Sequence, residues 1–280
     1  MTSIAHLTHR GLISLTGPDW APFLKGLCTA PIDELAEASA QGQFHKLCYG
    51  AFLRPQGKMI CDVLLHCVSA DEIWLDVPFS ERDELLAKLN MYRLRAQVTL
   101  KALDRPAFVA FGSDLPEGFL KDPRCACIGA DFGFSYSEQD DNDNVDAWAA
   151  FRMARGLSDP GYDFPKDDLY AIDANLDLLG AIDFHKGCYV GQELTSRMKR
   201  RGQIKNRILA FRYRDAPPQA GEDILHGDKR AGTVLNTSQG LGLGLMRLDR
   251  LGAPLSHSHG AIDLLIPDWM APHLLPLKSE

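Results

Sequence analysis

Cys188 stands in the run Asp183-Phe184-His185-Lys186-Gly187-Cys188-Tyr189-Val190-Gly191-Gln192-Glu193-Leu194-Thr195-Ser196-Arg197, which gathers a thiol, an ammonium, an amide and a carboxylate. Gly187 and Gly191 flank the thiol, so the backbone can turn sharply on either side and approach another group closely. Lys186 precedes it by two residues. Arg197, Lys199, Arg200, Arg201, Lys205 and Arg207 follow, with no acidic residue between Glu193 and Asp215. Fixed positive charge favours a thiolate over a thiol and raises its reactivity, towards a metal or another sulfur. A cysteine between Gly187 and the apolar Tyr189 and Val190 also fits a small buried hydrophobe, so the residue types leave both roles open. The basic run in turn suits either a polyanion or a solvated face.

Other residues invite a chemical reading. Asp62 lies inside the apolar run Lys58-Met59-Ile60-Cys61-Asp62-Val63-Leu64-Leu65, where an unpaired charge is costly; it must be paired, hydrogen-bonded or open to a cleft. Arg93 and Arg95, in Tyr92-Arg93-Leu94-Arg95, could face a ligand carboxylate or only solvent. Cys125-Ala126-Cys127 lacks the spacing of zinc and thioredoxin sites and is expected to be structural. Glu138 to Asn144 is acidic without the calcium-loop order of ligands, so a solvated loop is expected and no resident metal. Gly240-Leu241-Gly242-Leu243-Gly244 has no following helix or acidic partner, which excludes a dinucleotide fingerprint.

The elements that must position these residues follow from periodicity. Gly11 to Gly17 alternates as a strand and stops at Gly17-Pro18, after which Asp19 can cap a short helix with Trp20, Phe23, Leu24 and Leu27 on one face. Residues 43–53 and 58–68 read as strands joined by Arg54-Pro55-Gln56-Gly57. Ser80 opens a helix that runs to about Arg93, before strands at Val98 to Leu100 and Arg105 to Gly112. Residues 113–134 read as loops and short elements, and a helix at 148–153 ends at Gly156. From Ile208 the pattern becomes short strands between Pro- and Gly-rich turns, as in a small antiparallel barrel or sandwich.

With 280 residues, 45% hydrophobic and 24% charged, the chain can bury a substantial core as one large or two unequal domains. A net charge of -7 argues against general nucleic-acid binding. No stretch is apolar enough for a membrane span. Seven irregularly spaced cysteines and an N-terminus without a signal or transit pattern lead to the expectation of a cytoplasmic, reducing environment.

Lys186-Gly187-Cys188-Tyr189-Val190-Gly191-Gln192-Glu193, together with Asp173-Ala174-Asn175-Leu176-Asp177, Ser196-Arg197-Met198 and Arg201-Gly202, resembles the YgfZ-type folate-binding proteins. That family includes a mitochondrial iron–sulfur assembly factor and is related to the aminomethyltransferase (T protein) of the glycine cleavage system. The likeness extends to Gly11 to Thr29 and to the Tyr92-Arg93-Leu94-Arg95 run. It implies an α+β, aminomethyltransferase-like (GcvT-like) folate-binding domain over 1–204 and a small antiparallel β-barrel over 205–280. It further implies non-covalent tetrahydrofolate, a transient iron–sulfur cluster, and a role in assembling or repairing clusters, chiefly 4Fe-4S. Iron–sulfur assembly proteins and client enzymes would be the partners. Carried onto this chain, Cys188 and Lys186 would do the chemistry. Asp62, Arg93, Arg95, Asn175, Tyr189, Gln192, Glu193 and Arg197 would surround the folate. Two positions depart from the pattern. Cys61 replaces the first of two adjacent aspartates of the aminomethyltransferases, and Ala154 stands where many relatives carry a pterin-contacting glutamate. Three readings follow: a folate-dependent maturation factor, a one-carbon transfer enzyme, or a binding module with a structural cysteine.

Overall fold

The computed structural model describes residues 2–140, 144–202, 204–252 and 254–274, with Arg201 described in its backbone only. The charge expected of Arg201 and the part of the acidic loop at 141–143 lie outside the described residues. From the N-terminus come β1 (Ser3–His6), β2 (Arg10–Thr16), α1 (Trp20–Lys25), α2 (Ile32–Ala40), β3 (Leu47–Leu53), β4 (Met59–Ser69) and β5 (Glu72–Pro78). Next are α3 (Phe79–Tyr92), β6 (Thr99–Leu103), β7 (Phe108–Gly112), β8 (Leu120–Lys121), α4 (Cys125–Ile128), β9 (Asp131–Ser135) and α5 (Val145–Met153). A largely irregular segment leads to α6 (Gln192–Arg201). It is followed by β10 (Asn206–Tyr213), β11 (Asp223–His226), β12 (Lys229–Ser238), β13 (Leu241–Arg247), β14 (Leu255–His257), β15 (Gly260–Leu265) and α7 (Ala271–Leu274).

The strands form an antiparallel five-stranded sheet ordered β3-β4-β5-β2-β6, a four-stranded sheet ordered β1-β7-β9-β8, and a closed barrel of β10-β13-β12-β11-β14-β15. Period-two alternation gives the first sheet two buried faces. Cys61, Val63, Leu65 and Cys67 of β4 enter a core with Trp20, Phe23, Leu35, Leu85 and Leu89 of the helices. The other face of β4 carries Asp62, Leu64 and His66. Leu64 joins a larger core with the second sheet, α5, the irregular segment and Ile208 and Ala210 of the barrel. The fold is therefore α+β with a C-terminal antiparallel barrel.

Local chemistry sets the ends. Arg54 to Gly57 is the turn between β3 and β4, with Gly57 at φ 77, a left-handed conformation that glycine adopts without steric cost. Gly156, at φ 68, stops the chain after α5, and the Leu157 amide donates back to the Arg152 carbonyl at 2.9 Å. Some elements were not expected: β1, β14 and α2, and α6, whose residues read as a charge run.

Candidate functional site

Cys188 is exposed, whereas Cys28, Cys48, Cys61, Cys67 and Cys125 are buried and Cys127 is half-buried; all seven are free thiols. Its loop is pinned from both sides to the segment after α1. The Asp183 amide donates to the Thr29 carbonyl at 2.9 Å, and the Val190 amide to the Gly26 carbonyl at 3.1 Å. The Thr29 hydroxyl donates to the Ala181 carbonyl at 2.7 Å. Asp183 Oδ1 accepts the His185 and Lys186 amides at 2.8 and 3.1 Å, closing a local turn. Gly191 lies at φ 84, where an added Cβ would meet the Arg54 carbonyl oxygen at 2.7 Å. Gly187, by contrast, faces open space.

Lys186 does not serve the thiol as the sequence led us to expect. Its Nζ is buried and donates to the carbonyls of Cys28 and of Ala30, the latter at 2.7 Å. Burial pulls the ammonium below its ordinary pKa, the nearby Cys28 thiol pulling the other way. Two carbonyl acceptors therefore hold this charge, and Lys186 acts as a positioning residue for the loop. Its ammonium also lies 5.0 Å from the centre of the Tyr189 ring. Tyr189 is buried in the core with a hydroxyl that finds no partner among the described residues.

Asp62 sits elsewhere, in a buried ionic cluster on the inner face of the first sheet. Arg10 donates through Nη1 to Asp62 at 2.9 Å and through Nε to Asp76 at 2.7 Å, and its Nη1 reaches Asp159 at 3.4 Å. Tyr49 donates to the second Asp62 oxygen at 3.2 Å. Burial raises the Asp62 pKa and Arg10 opposes it; burial likewise drives the Asp159 carboxyl up, but His9 at 2.8 Å and the arginines outweigh it and leave its pKa lowered. Cys61, on the opposite face, is a buried thiol that desolvation pushes well up.

Arg10, Asp62, Arg124, Trp148, Arg152 and Asp159 line a cavity of about 20 Å³. That is room for a water or two, against the several hundred Å³ of ordinary ligand pockets. A pterin does not fit beside Asp62 in this arrangement, and the carboxylate expected to bind one is already paired. The residues present do not fit tetrahydrofolate here, so no step below passes through it.

The remaining candidates are dispersed. Asn175, at φ 63, is buried; it donates to the Ile208 carbonyl at 2.8 Å and accepts from Arg207 at 3.2 Å, joining the irregular segment to the barrel. Gln192 opens α6, its amide donating to the Tyr189 carbonyl at 3.1 Å. Glu193 pairs with Arg197 at 2.8 Å on the exposed face of α6. Much of the expected basic cluster is thus neutralised internally: Lys199 and the buried Arg207 both pair with Asp177. Arg93 and Arg95 are exposed beyond the end of α3. Arg10, Arg124, Arg152 and Asp159 were missed in the sequence. For Arg10, Arg124 and Arg152 the signal was a charged residue in or beside an apolar run, the one that singled out Asp62; Asp159, between Ser158 and Pro160, offered no such signal. Among the described residues, no group of three or more His, Cys, Asp or Glu is placed to hold a metal ion.

The fold is the one seen in an aminomethyltransferase. The glycine cleavage system aminomethyltransferase T of Bartonella henselae matches with a TM-score of 0.70 over 94% of this chain and 84% of that one, at 15% identity, a likeness of fold. Residues 205–272 match the family described as CAF17, C-terminal beta-barrel domain. In sequence, the chain is similar to iron–sulfur cluster assembly factors. The mitochondrial IBA57 homolog of Mycosarcoma maydis is 31% identical over 238 residues, 78% of this chain and 59% of that protein. Mitochondrial IBA57 of Mus musculus is 27% identical over 301 residues, 94% of this chain and 84% of that protein. The chain spans less than two thirds of the fungal relative. Both relatives are named as mitochondrial, and this overturns the cytoplasmic placement expected from the N-terminal residues.

Proposed function

We propose that the chain is an iron–sulfur cluster assembly factor of the YgfZ type whose working thiol is Cys188. The observation that carries this reading is the exposure of Cys188, alone among seven cysteines, on a loop tied down by Lys186, Asp183 and Val190. A thiol held this way reaches a partner with little ordering left to do. As a thiolate it can ligate iron or exchange with a partner's sulfur. A four-iron cluster takes about four thiolates, so a cluster on Cys188 is labile or shared with a second chain that brings the other ligands. The names of the relatives support the same function. Aminomethyl transfer is disfavoured because Cys61 replaces an aspartate, Ala154 a glutamate, and Asp62 is held by Arg10.

Native-state alkylation and complementation test the proposal. Iodoacetamide near neutral pH is expected to modify Cys188 first. Cys188→Ser is expected to abolish support of four-iron client enzymes in a strain lacking this chain, without lowering Tm. An unmodified Cys188 together with full complementation by the serine variant would refute the reading.

A further inference from the structure

We infer that the C-terminal corner of α3 is the docking surface for the protein that meets Cys188, and that this partner presents a bulky apolar side chain flanked by carboxylates. The inference rests on the reading of Cys188 above and adds where, and by what chemistry, a partner is recognised.

Three large apolar side chains crowd this corner in the open: Met91 is 78% exposed, Tyr92 42% and Leu94 87%. Leu94 is also held at φ 43, a left-handed conformation that a branched side chain rarely adopts. Strain of that kind persists where the surrounding structure imposes it, and it collects at functional surfaces. Here it projects an isobutyl group into solvent, where it contributes nothing to the core.

Charge specifies the occupant. Lys88, Arg93 and Arg95 make no side-chain hydrogen bond or ion pair among the described residues, in a chain of net charge -7. Neighbouring cations are paired: Arg54 with Asp167 and Glu84, and Lys166 with Glu81 and Glu84. Unspent cations interleaved with exposed apolar groups complement an acidic, apolar protein segment, while the overall negative charge repels a nucleic acid.

Position links the corner to the thiol. Leu89 and Tyr92 of α3 share an apolar groove with Leu27 and Val190. Leu27 belongs to the segment that holds the Cys188 loop, and Val190 is two residues from Cys188, at most about 7 Å along the chain. The groove has about 10 Å³ of free volume, room for no more than a water, so the partner's apolar side chain lies over its rim beside the exposed Tyr92 rather than within it. A partner anchored there brings its own ligands to Cys188.

The test compares the parent chain with Arg93→Glu/Arg95→Glu, Leu94→Gly and Cys188→Ser. Glycine suits the left-handed backbone at 94, so that variant removes the side chain without weakening the fold. The probes are fluorescein-labelled peptides carrying one Phe flanked by Glu, and the same peptides with Lys for Glu, followed by anisotropy. The Glu peptides are expected to bind about tenfold or more tighter than the Lys peptides and to weaken with salt. Binding is expected to vanish with the charge reversal, to fall about tenfold with Leu94→Gly, and to survive Cys188→Ser. In the deletion strain, the first two variants are expected to lose support of four-iron client enzymes at unchanged Tm and unchanged Cys188 alkylation. Equal binding of the two peptide sets, or full complementation by either surface variant, overturns the docking surface. Full complementation by Cys188→Ser alone overturns the thiol reading and leaves the surface standing on its peptide arm.

Discussion

Lys186→Met is the most direct probe of how the candidate loop is held. The substitution keeps an unbranched apolar stem and removes the ammonium that donates to the Cys28 and Ala30 carbonyls. Hydrogen bonds from a charged group contribute about 1.5–3 kcal/mol each, and a buried carbonyl that loses its donor costs about 1–3 kcal/mol. Methionine also relieves the burial of a charge, which offsets part of that loss, as the lowered pKa of Lys186 indicates. The net expectation is a loss of about 1–3 kcal/mol, or a Tm about 2–10 °C lower. Urea denaturation gives the energy. The rate of Cys188 alkylation, measured well below the unfolding transition, reports the loop and is expected to change because its anchor has gone. A methionine variant with the parent's urea midpoint and the parent's alkylation rate would show that the ammonium does not position this loop.

Gly191→Ala is expected to cost at least about 2 kcal/mol in urea denaturation, since it combines a left-handed backbone with a Cβ 2.7 Å from the Arg54 oxygen; Gly187→Ala, facing open space, is expected to stay within about 0.5 kcal/mol, and equal effects would refute the distinction. Burial raises the Asp173 carboxyl from 3.8 to about 6. Its favourable contribution is therefore full below the unfolded value and lost as pH rises through the folded one, so Asp173→Asn is expected to gain up to about 2–3 kcal/mol near pH 8 and little near pH 4. An equal gain at both pH values in chemical denaturation would exclude this origin. Calorimetry at low salt is expected to show no saturable tetrahydrofolate binding that depends on Asp62; saturable binding lost in Asp62→Asn would mean that the cavity beside Arg10 opens.

The strand pattern of 11–17, 43–53 and 58–68 was legible because alternation of burial is written residue by residue, and β3 and β4 send successive side chains to opposite cores. Asp62 was legible as a charge needing a partner. Arg10 was not, because pairing across neighbouring strands joins residues remote in sequence. The helix α6 was hidden by its charges, although Leu194 and Met198 sit four apart and both line one cleft beside Tyr170 and Asp173. Docking of the Cys188 loop on residues 26–30 could not be read at all. Its bonds end on backbone carbonyls, which every residue offers, so no residue type announced the contact. What the sequence did carry was the pair of stretches themselves, Phe23 to Thr29 and Lys186 to Glu193, each singled out without its link to the other.

That link fixes the Cys188 loop on a fold shared with an aminomethyltransferase. The small cavity on the inner face of the first sheet is lined by Trp148 and by an ion cluster in which Arg10 spreads its charge over Asp62, Asp76 and Asp159. A ligand that took Asp62 away would leave Arg10 two carboxylates, so electrostatics alone do not keep the site closed. Packing does: Trp148 lies against Phe111, Phe132 and Phe151 at ring separations of 5.4 to 5.6 Å, and moving it would open a large void in the core. The Cys188 loop reaches the same core through Tyr189, while Cys188 itself stays exposed and the loop is fixed to residues 26–30 by Lys186 and by backbone bonds. Those bonds involve none of the residues that line the cavity, so the exposed thiol is positioned without the ion cluster.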